Sequence, residues 1–434
     1  MSIPVIVLIV SFVIFLLLNV PIAFAMGLSS LFTLVAIGTM EGTSIMTVIA
    51  HTTATGIDSF ALLAIPFFIL AGLFMSRGGI ARRLIDFANV LVGRYRGGLS
   101  YVNVVTCMMF GAISGSAVAA VSSVGGFMIP LMNKEGYDND FNASVTITAA
   151  TTGLLIPPSN VMIVYSLATG GMVSIAAIFM AGILPGILMG LALMVVAGII
   201  SIRHDYGRGV KFAFKEGLFK FLSAIPPLFL IFLVLGGILS GIFTATEASA
   251  IAVLYAFFLS VFVYKEVKWK DIPDILLQCG ITTAVVMLLI GTSTAMSQVM
   301  TLENIPQKIS DALLSMTSNR YTILLLINIM MLLVGTFMDM TPAILIFTPI
   351  FLPIVTNLGV DPIHFGIILI MNLCIGICTP PVGTCLFVGC GIANTSITRI
   401  LRHILPFFLA MIIVLLITTY LPVISLWLPN LFNL

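Results

Sequence analysis

Charge is what this 434-residue chain has least of. Charged residues make up 8% of it against 60% hydrophobic, and no lysine or arginine occurs between Tyr321 and Thr398. A soluble fold of this length cannot be covered with so little polar surface, and segments that are apolar on all faces belong in a bilayer. The sequence therefore reads as an all-α polytopic membrane protein. A net charge of +2, with the basic residues confined to short loops, gives no basis for a nucleic-acid partner. Histidine is scarce too: His51, His204, His364 and His403 stand at no metal-ligating spacing. The six cysteines (Cys107, Cys279, Cys374, Cys378, Cys385 and Cys390) form no C-x-x-C pair and lie in apolar context, as small buried hydrophobes do. No His, Cys or carboxylate cluster makes a catalytic set, so an enzyme is the weakest reading. A basic segment is also missing ahead of the first apolar run, which passes straight into a second one. Residues 1–20 thus read as a retained membrane helix rather than a cleaved leader.

Glycine and proline are present, and their placement repeats. "GLLIPPSN" at 153–160 and "GICTPPVG" at 376–383 align Gly153 with Gly376, Pro157 with Pro380 and Pro158 with Pro381, at an offset of 223. The same offset lays "IPLMNKEGYD" on "LPIVTNLGVD", with Pro130 over Pro353, Gly136 over Gly359 and Asp138 over Asp361. Leucine-rich helices look alike by chance, but Pro, Gly and Asp matched at one fixed offset mark an internal repeat.

Each half has the same parts in the same order. Three apolar runs (3–20, 22–40, 60–76; then 222–243, 247–264, 275–300) precede an amphipathic stretch (77–98; 302–320). A hairpin follows, turning at Ser114–Ser116 or Met338–Thr341, then a Pro-Pro-broken span (143–168; 363–390) and a closing span (174–202; 404–428). Five crossings per half, an odd number, would invert the second copy. The charges test this independently. Arg77, Arg82, Arg83, Arg94 and Arg96 place the first amphipathic stretch in the cytoplasm. Counting onward places there Arg203, Arg208, Lys211, Lys215 and Lys220, then Lys265, Lys268 and Lys270, then Arg399 and Arg402. The second amphipathic stretch, with Lys308 and Arg320 against Glu303 and Asp311, falls outside, as do both termini.

A proline inside a membrane helix removes a donor and frees a carbonyl, and hydrocarbon offers neither a partner. One proline can simply fit a kink to its neighbours. Two adjacent prolines in both halves, beside glycine and polar side chains, point instead to a secondary transporter's ion and substrate site. Ser114, Ser116, Ser159 and Asn160, with Thr341, Thr379 and Thr384, offer the neutral oxygens that sodium takes. Asp339, in "GTFMDMTPA", is an intramembrane carboxylate and so a functional candidate. It also suits the cap of the second hairpin helix. Glu247 reads at least as well as a helix-start charge, and Glu41, Asp58, Glu135, Asp138 and Asp140 as loop charges. Lys134 is the only basic residue from Gly97 to Ile200. An anionic substrate would therefore be held by helix N-termini, hydroxyls and bound cations.

"SGSAVAAVSSVGGFMIPLM", "GLLIPPSNVMIVYS", "GIFTATEASA", "GTFMDMTPAILIFTPI" and "CIGICTPPVGT" resemble, essentially from end to end, signature stretches of one family. It is the large (M-type) membrane subunit of tripartite ATP-independent periplasmic (TRAP) transporters, within the ion transporter superfamily. The resemblance implies an elevator-type fold of two inverted repeats. Scaffold helices would occupy 1–76 and 222–300, arm helices 77–98 and 301–320, a cytoplasmic loop 203–221, and transport segments 99–202 and 321–430. It further implies sodium-driven import of an organic anion across the bacterial inner membrane, delivered by a periplasmic binding protein. A small four-helix membrane subunit is expected as a separate chain.

One sodium site is implied at Gly335, Gly376, Thr379 and Val382 with Ser114. The other is implied at Gly111, Gly153, Pro157 and Asn160, with Asp339 near the shared cavity. Ser116, Ser159, Thr341 and Thr384 are the implied substrate-side hydroxyls. Ser159-Asn160 aligns with Val382-Gly383, so the two sites need not be equivalent, and at least two sodium ions per cycle are expected. The wording of "CTPPVGTCLFVGC" is closer to sugar-acid members, sialic acid carriers included, than to succinate carriers, with C4-dicarboxylates as the alternative. An uncoupled channel would more often show a pore ring of like residues, and nothing in the sequence suggests one.

Overall fold

A computed structural model describes residues 3–38, 45–207, 214–317 and 319–434; Glu41, Arg208 and Lys211 lie outside them. The described residues form twenty α-helices. The first half holds α1 (Ile3–Leu17), α2 (Ile22–Ile37), α3 (Ile45–Ile57), α4 (Ala64–Arg77), α5 (Ile80–Val92), α6 (Gly98–Ser114), α7 (Ala117–Lys134), α8 (Asn139–Thr152), α9 (Asn160–Ala168) and α10 (Ile175–Arg203). The second holds α11 (Phe214–Leu239), α12 (Ala245–Phe258), α13 (Ile272–Leu302), α14 (Ile305–Met316), α15 (Arg320–Gly335), α16 (Met340–Asn357), α17 (Pro362–Gly376), α18 (Thr384–Ala393), α19 (Ile397–Tyr420) and α20 (Val423–Leu431).

Adding 223 to the bounds of α7 gives 340–357, the bounds of α16, and adding it to those of α8 gives 362–375 against 362–376 for α17. The local causes repeat as well. Gly136 and Gly359 take φ of +82° and +74°, where a side chain is disfavoured, and so end α7 and α16. Asp138 and Asp361 then accept from the backbone N–H of Phe141 and Ile363, capping α8 and α17. Asp138 and Asp140 are thus helix-start groups rather than loop charges, and Thr395 donates to Asp140.

Residues 1–76 depart from expectation: α3 is an additional helix there. Its sequence, "IMTVIAHTTATGI", is too polar to read as an apolar run, yet it packs along α13. Where the second half has the single long α13, the first has α3 and α4 joined through a 3₁₀ turn at Phe60–Leu63. Five crossings per half is also more than length alone supplies. Among the described residues seven helices are long and apolar enough to span, or eight if the bent pair α8–α9, with its 49° break, counts as one. At 15 or 16 residues, α1, α2 and α17 are each roughly 23 Å long, short of a ~30 Å hydrocarbon core.

The helices fall into two packed groups. One gathers α1–α4 with α11–α13; the other gathers α6–α10 with α15–α20; α5 and α14 lie against both. In the second group α8 and α17 are buried almost from end to end. Helix α8 is nonetheless rich in hydroxyls: Ser144, Thr146, Thr148, Thr151 and Thr152 each donate to a carbonyl three or four residues back. That local bond satisfies a hydroxyl in an interior with little water. The six cysteines are all free and buried. Glu247 forms a capping box with Thr244 at the start of α12, the helix-start role.

Candidate functional site

The two proline pairs stand where α8 ends before α9 and where α17 ends before α18; both Pro157–Pro158 and Pro380–Pro381 are cis. Each break is met by the turn of a helical hairpin. The α6–α7 turn rests on the first: a Cβ on Gly153 would lie 2.5 Å from the Gly111 Cα. The α15–α16 turn rests on the second: a Cβ on Gly376 would lie 2.5 Å from the Gly335 Cα. Backbone thus touches backbone at both breaks, and only glycine on both sides permits it. The second hairpin is tied further, because the Thr336 carbonyl accepts from the N–H of Val382 at 3.3 Å and of Gly383 at 3.5 Å.

Four helices begin at these turns. Ser116 caps α7 by accepting from the N–H of Ala119 at 3.2 Å, and Asp339 sits at the cap of α16, accepting from Met340 at 2.8 Å. At α9 and α18, which begin right after the breaks, the N-cap residues Ser159 and Gly383 give no side-chain capping bond. At α18 the Ile377 carbonyl accepts from the N–H of Cys385 at 3.1 Å; the first-turn N–H groups left free at the two ends, with the dipole behind them, favour an anion.

A cavity of about 610 Å³ joins these parts. Ser114, Ser116, Asn160, Asp339, Thr341 and Thr384 line it, so six of the fourteen expected site residues meet in one space. Gly111, Gly153, Gly335 and Gly376 do not line it; they form the two backbone contacts behind the turns. Pro157 and Ser159 are buried, while Val382 is 42% exposed and Thr379 donates to the Ile375 carbonyl at 2.7 Å. The first break is therefore more enclosed than the second.

Sequence reasoning missed the opposite wall. It is supplied by the start of α2, by Ile65, Ile69 and Gly72 of α4, and by Thr282, Val285 and Leu289 of α13. Their i, i+3, i+4 spacing was visible, but only packing tells which face of an apolar helix meets a cavity. The first hairpin reaches this wall, since a Cβ on Gly72 would lie 2.6 Å from the Ser114 carbonyl oxygen.

Among the described residues lining the cavity Asp339 is the sole ionisable group, and none is basic. Ser159 Oγ, Asn160 Oδ1 and Thr384 Oγ1 are buried without a hydrogen-bond partner. Eleven buried side-chain oxygens or hydroxyls are unpartnered among the described residues, and a uniform spread would put fewer than one of them in the two short breaks. An unpaired buried oxygen costs about 1–3 kcal/mol, and three of them at the two breaks are the kind of neutral oxygen a hard cation takes.

The sequence model of the "Tripartite ATP-independent periplasmic transporter, DctM component" family matches residues 9–424. The chain is 51% identical over 429 residues to the uncharacterised protein YgiK of Salmonella typhimurium strain LT2, covering 99% of this chain and 98% of that one. It is 43% identical over 373 residues to the C4-dicarboxylate TRAP transporter large permease protein DctM of Pseudomonas aeruginosa, covering 86% and 87%. To the isethionate TRAP transporter permease protein DctMQ of Oleidesulfovibrio alaskensis it is 42% identical over 420 residues, covering 96% of this chain and 65% of that one. Among solved structures the Alcanivorax borkumensis YdaH transporter superposes with a TM-score of 0.64 over 96% of this chain and 98% of that one, at 14% identity, a likeness of fold alone. With a family match along nearly its whole length and relatives this similar, the chain belongs to the DctM family, the large membrane permeases of TRAP transporters.

Proposed function

We propose that this permease uses a sodium gradient to import an organic acid anion across the bacterial inner membrane. The observation that carries the reading is the trio of unpartnered oxygens, Ser159 Oγ, Asn160 Oδ1 and Thr384 Oγ1, at two helix breaks that share one cavity. Sodium held there, with Ser114, Thr379, Val382 and the carbonyls of Gly111, Gly153, Pro157, Gly335 and Gly376 in reach of the breaks, supplies the positive charge that the cavity lacks. The anion then lies against the starts of α7, α9, α16 and α18 and the hydroxyls of Ser116, Thr341 and Thr384.

In this reading the group of α6–α10 and α15–α20 moves as an elevator against the group of α1–α4 and α11–α13. The two halves are inverted copies, and both termini are periplasmic. A small membrane subunit and a periplasmic binding protein complete the system. A sugar acid such as sialic acid is the favoured cargo. A C4-dicarboxylate is the second reading, favoured by the named substrate of the Pseudomonas relative.

Uptake into proteoliposomes containing this chain and its small partner tests the proposal, with labelled sialic acid and labelled succinate, with and without an inward sodium gradient and binding protein. Accumulation that requires sodium supports it, and the accumulated label decides the acid. Equilibration without sodium refutes coupling and leaves a facilitator.

A further inference from the structure

A second cavity, of about 820 Å³, lies between α13, the α9–α10 turn, α16 and the 3₁₀ turn before α4. One face of α13 serves both cavities. Thr282, Val286 and Leu289 line the first; the same face, continued by helical spacing through Ser293, Ser297 and Thr301, lines the second. Adjacent Leu289 and Ile290 divide them, one on each side.

We propose that this second cavity is a binding site for the uncharged, polyhydroxylated part of an organic solute. None of the described residues lining it is charged. Four hydroxyls there have already given their protons to backbone carbonyls: Ser166 to Val173 at 2.6 Å, Ser293 to Ile290 at 2.8 Å, Thr294 to Ile290 at 2.9 Å, and Thr301 to Ser297 at 2.9 Å. They present lone pairs and accept. Ser174 accepts from the N–H of Ala177 and keeps its own proton to give. Among the described residues the side chains of Ser59, Ser297 and Gln298 have no bonded partner, and Gln298 offers both roles.

A carboxylate only accepts, so it meets the four committed hydroxyls lone pair to lone pair. A ligand hydroxyl gives one proton and takes another, which is what this mixed wall offers. The volume lies within the ~300–1,000 Å³ range of small-molecule sites. The first cavity, with its helix starts and Asp339, treats charge; the second reads hydroxyls. The inference rests on the transport reading for its purpose, because a solute held here lies along the α13 face that leads to the first cavity. It narrows the cargo to hydroxylated acids.

Its test needs no transport. All six native thiols are buried, so a new cysteine in the cavity is the one expected to react readily. Ser297→Cys in the full chain, reconstituted in nanodiscs, is alkylated with a small maleimide alone or with xylitol, gluconate or succinate. Thr282→Cys reports on the first cavity. Xylitol and gluconate are expected to slow alkylation at 297 about tenfold at concentrations about ten times their Kd, and succinate to leave it unchanged. Gln298→Leu, combined with Ser297→Cys, is expected to weaken that protection. Absence of protection by either polyhydroxylated probe, equal protection by succinate, or protection by gluconate alone would each overturn the proposal. Because labelling is read without a sodium gradient, a failure of sodium-driven uptake leaves this result standing, and a failure here leaves the uptake result standing.

Discussion

Thr384 and Ser159 each carry a buried oxygen that the fold leaves unpaired, and that has a measurable cost. If these oxygens serve a cation, removing them separates stability from function. Thr384→Val and Ser159→Ala are expected to raise stability in sodium-free buffer by about 1 kcal/mol, because an orphaned polar group disappears. Both are expected to weaken the sodium dependence of uptake. Thermal unfolding with and without sodium checks the first effect, and the sodium concentration for half-maximal uptake checks the second. A purely structural role would lower stability and leave sodium dependence alone. Asp339 combines two roles that substitutions can part. Asparagine still caps α16, so Asp339→Asn is expected to keep the melting temperature and reduce uptake; Asp339→Ala is expected to lose uptake and about 1 kcal/mol of stability as well.

Hairpins and broken helices meet through glycine pairs, and this contact gives the sharpest packing test. Gly153→Ala and Gly376→Ala push a methyl to 2.5 Å from a facing backbone carbon, where no side chain can yield. Each is expected to cost about 1–3 kcal/mol and to abolish uptake. Gly126→Ala and Gly391→Ala, which meet open space within α7 and α18, are expected to leave uptake unchanged and to keep or raise stability by up to about 1 kcal/mol, as melting curves of the four variants will show. These contacts explain why the two breaks and the helix ends beside them were legible. Proline pairs, Gly136 and Gly359, and the capping Asp138 and Asp361 act through their own backbone geometry, so residue type and spacing report them directly. Helix α3 was not legible, because it buries no residue of its own and its threonines and His51 mask the apolar pattern. The second cavity was hidden for a related reason: its α13 hydroxyls alternate with apolar residues, and only the neighbouring helices decide which face is enclosed.

Across the whole molecule, basic residues concentrate at ends assigned to one side. Arg77 pairs with Asp274 at 2.6 Å and Lys220 with Asp86 at 3.2 Å, tying α4 to α13 and α11 to α5 at that same assigned end. Such partly exposed pairs add little stability, so their placement reports topology more than strength. Reporter fusions check it: alkaline phosphatase joined after Leu434 is expected to be active and green fluorescent protein there dark, with the opposite pattern inside 265–270. The reverse result would invert the proposed orientation and turn the cavity's direction of delivery around. The family membership and the all-helical fold do not depend on that outcome; the direction of import does.

Sodium coupling is checked by following labelled sodium and labelled organic acid as they enter the same proteoliposomes. Acid uptake is expected to draw sodium in with it, at two or more ions per anion, and Thr384→Val and Ser159→Ala to lower the sodium flux and the acid flux together. Acid that enters at full rate with no accompanying sodium would contradict the coupling.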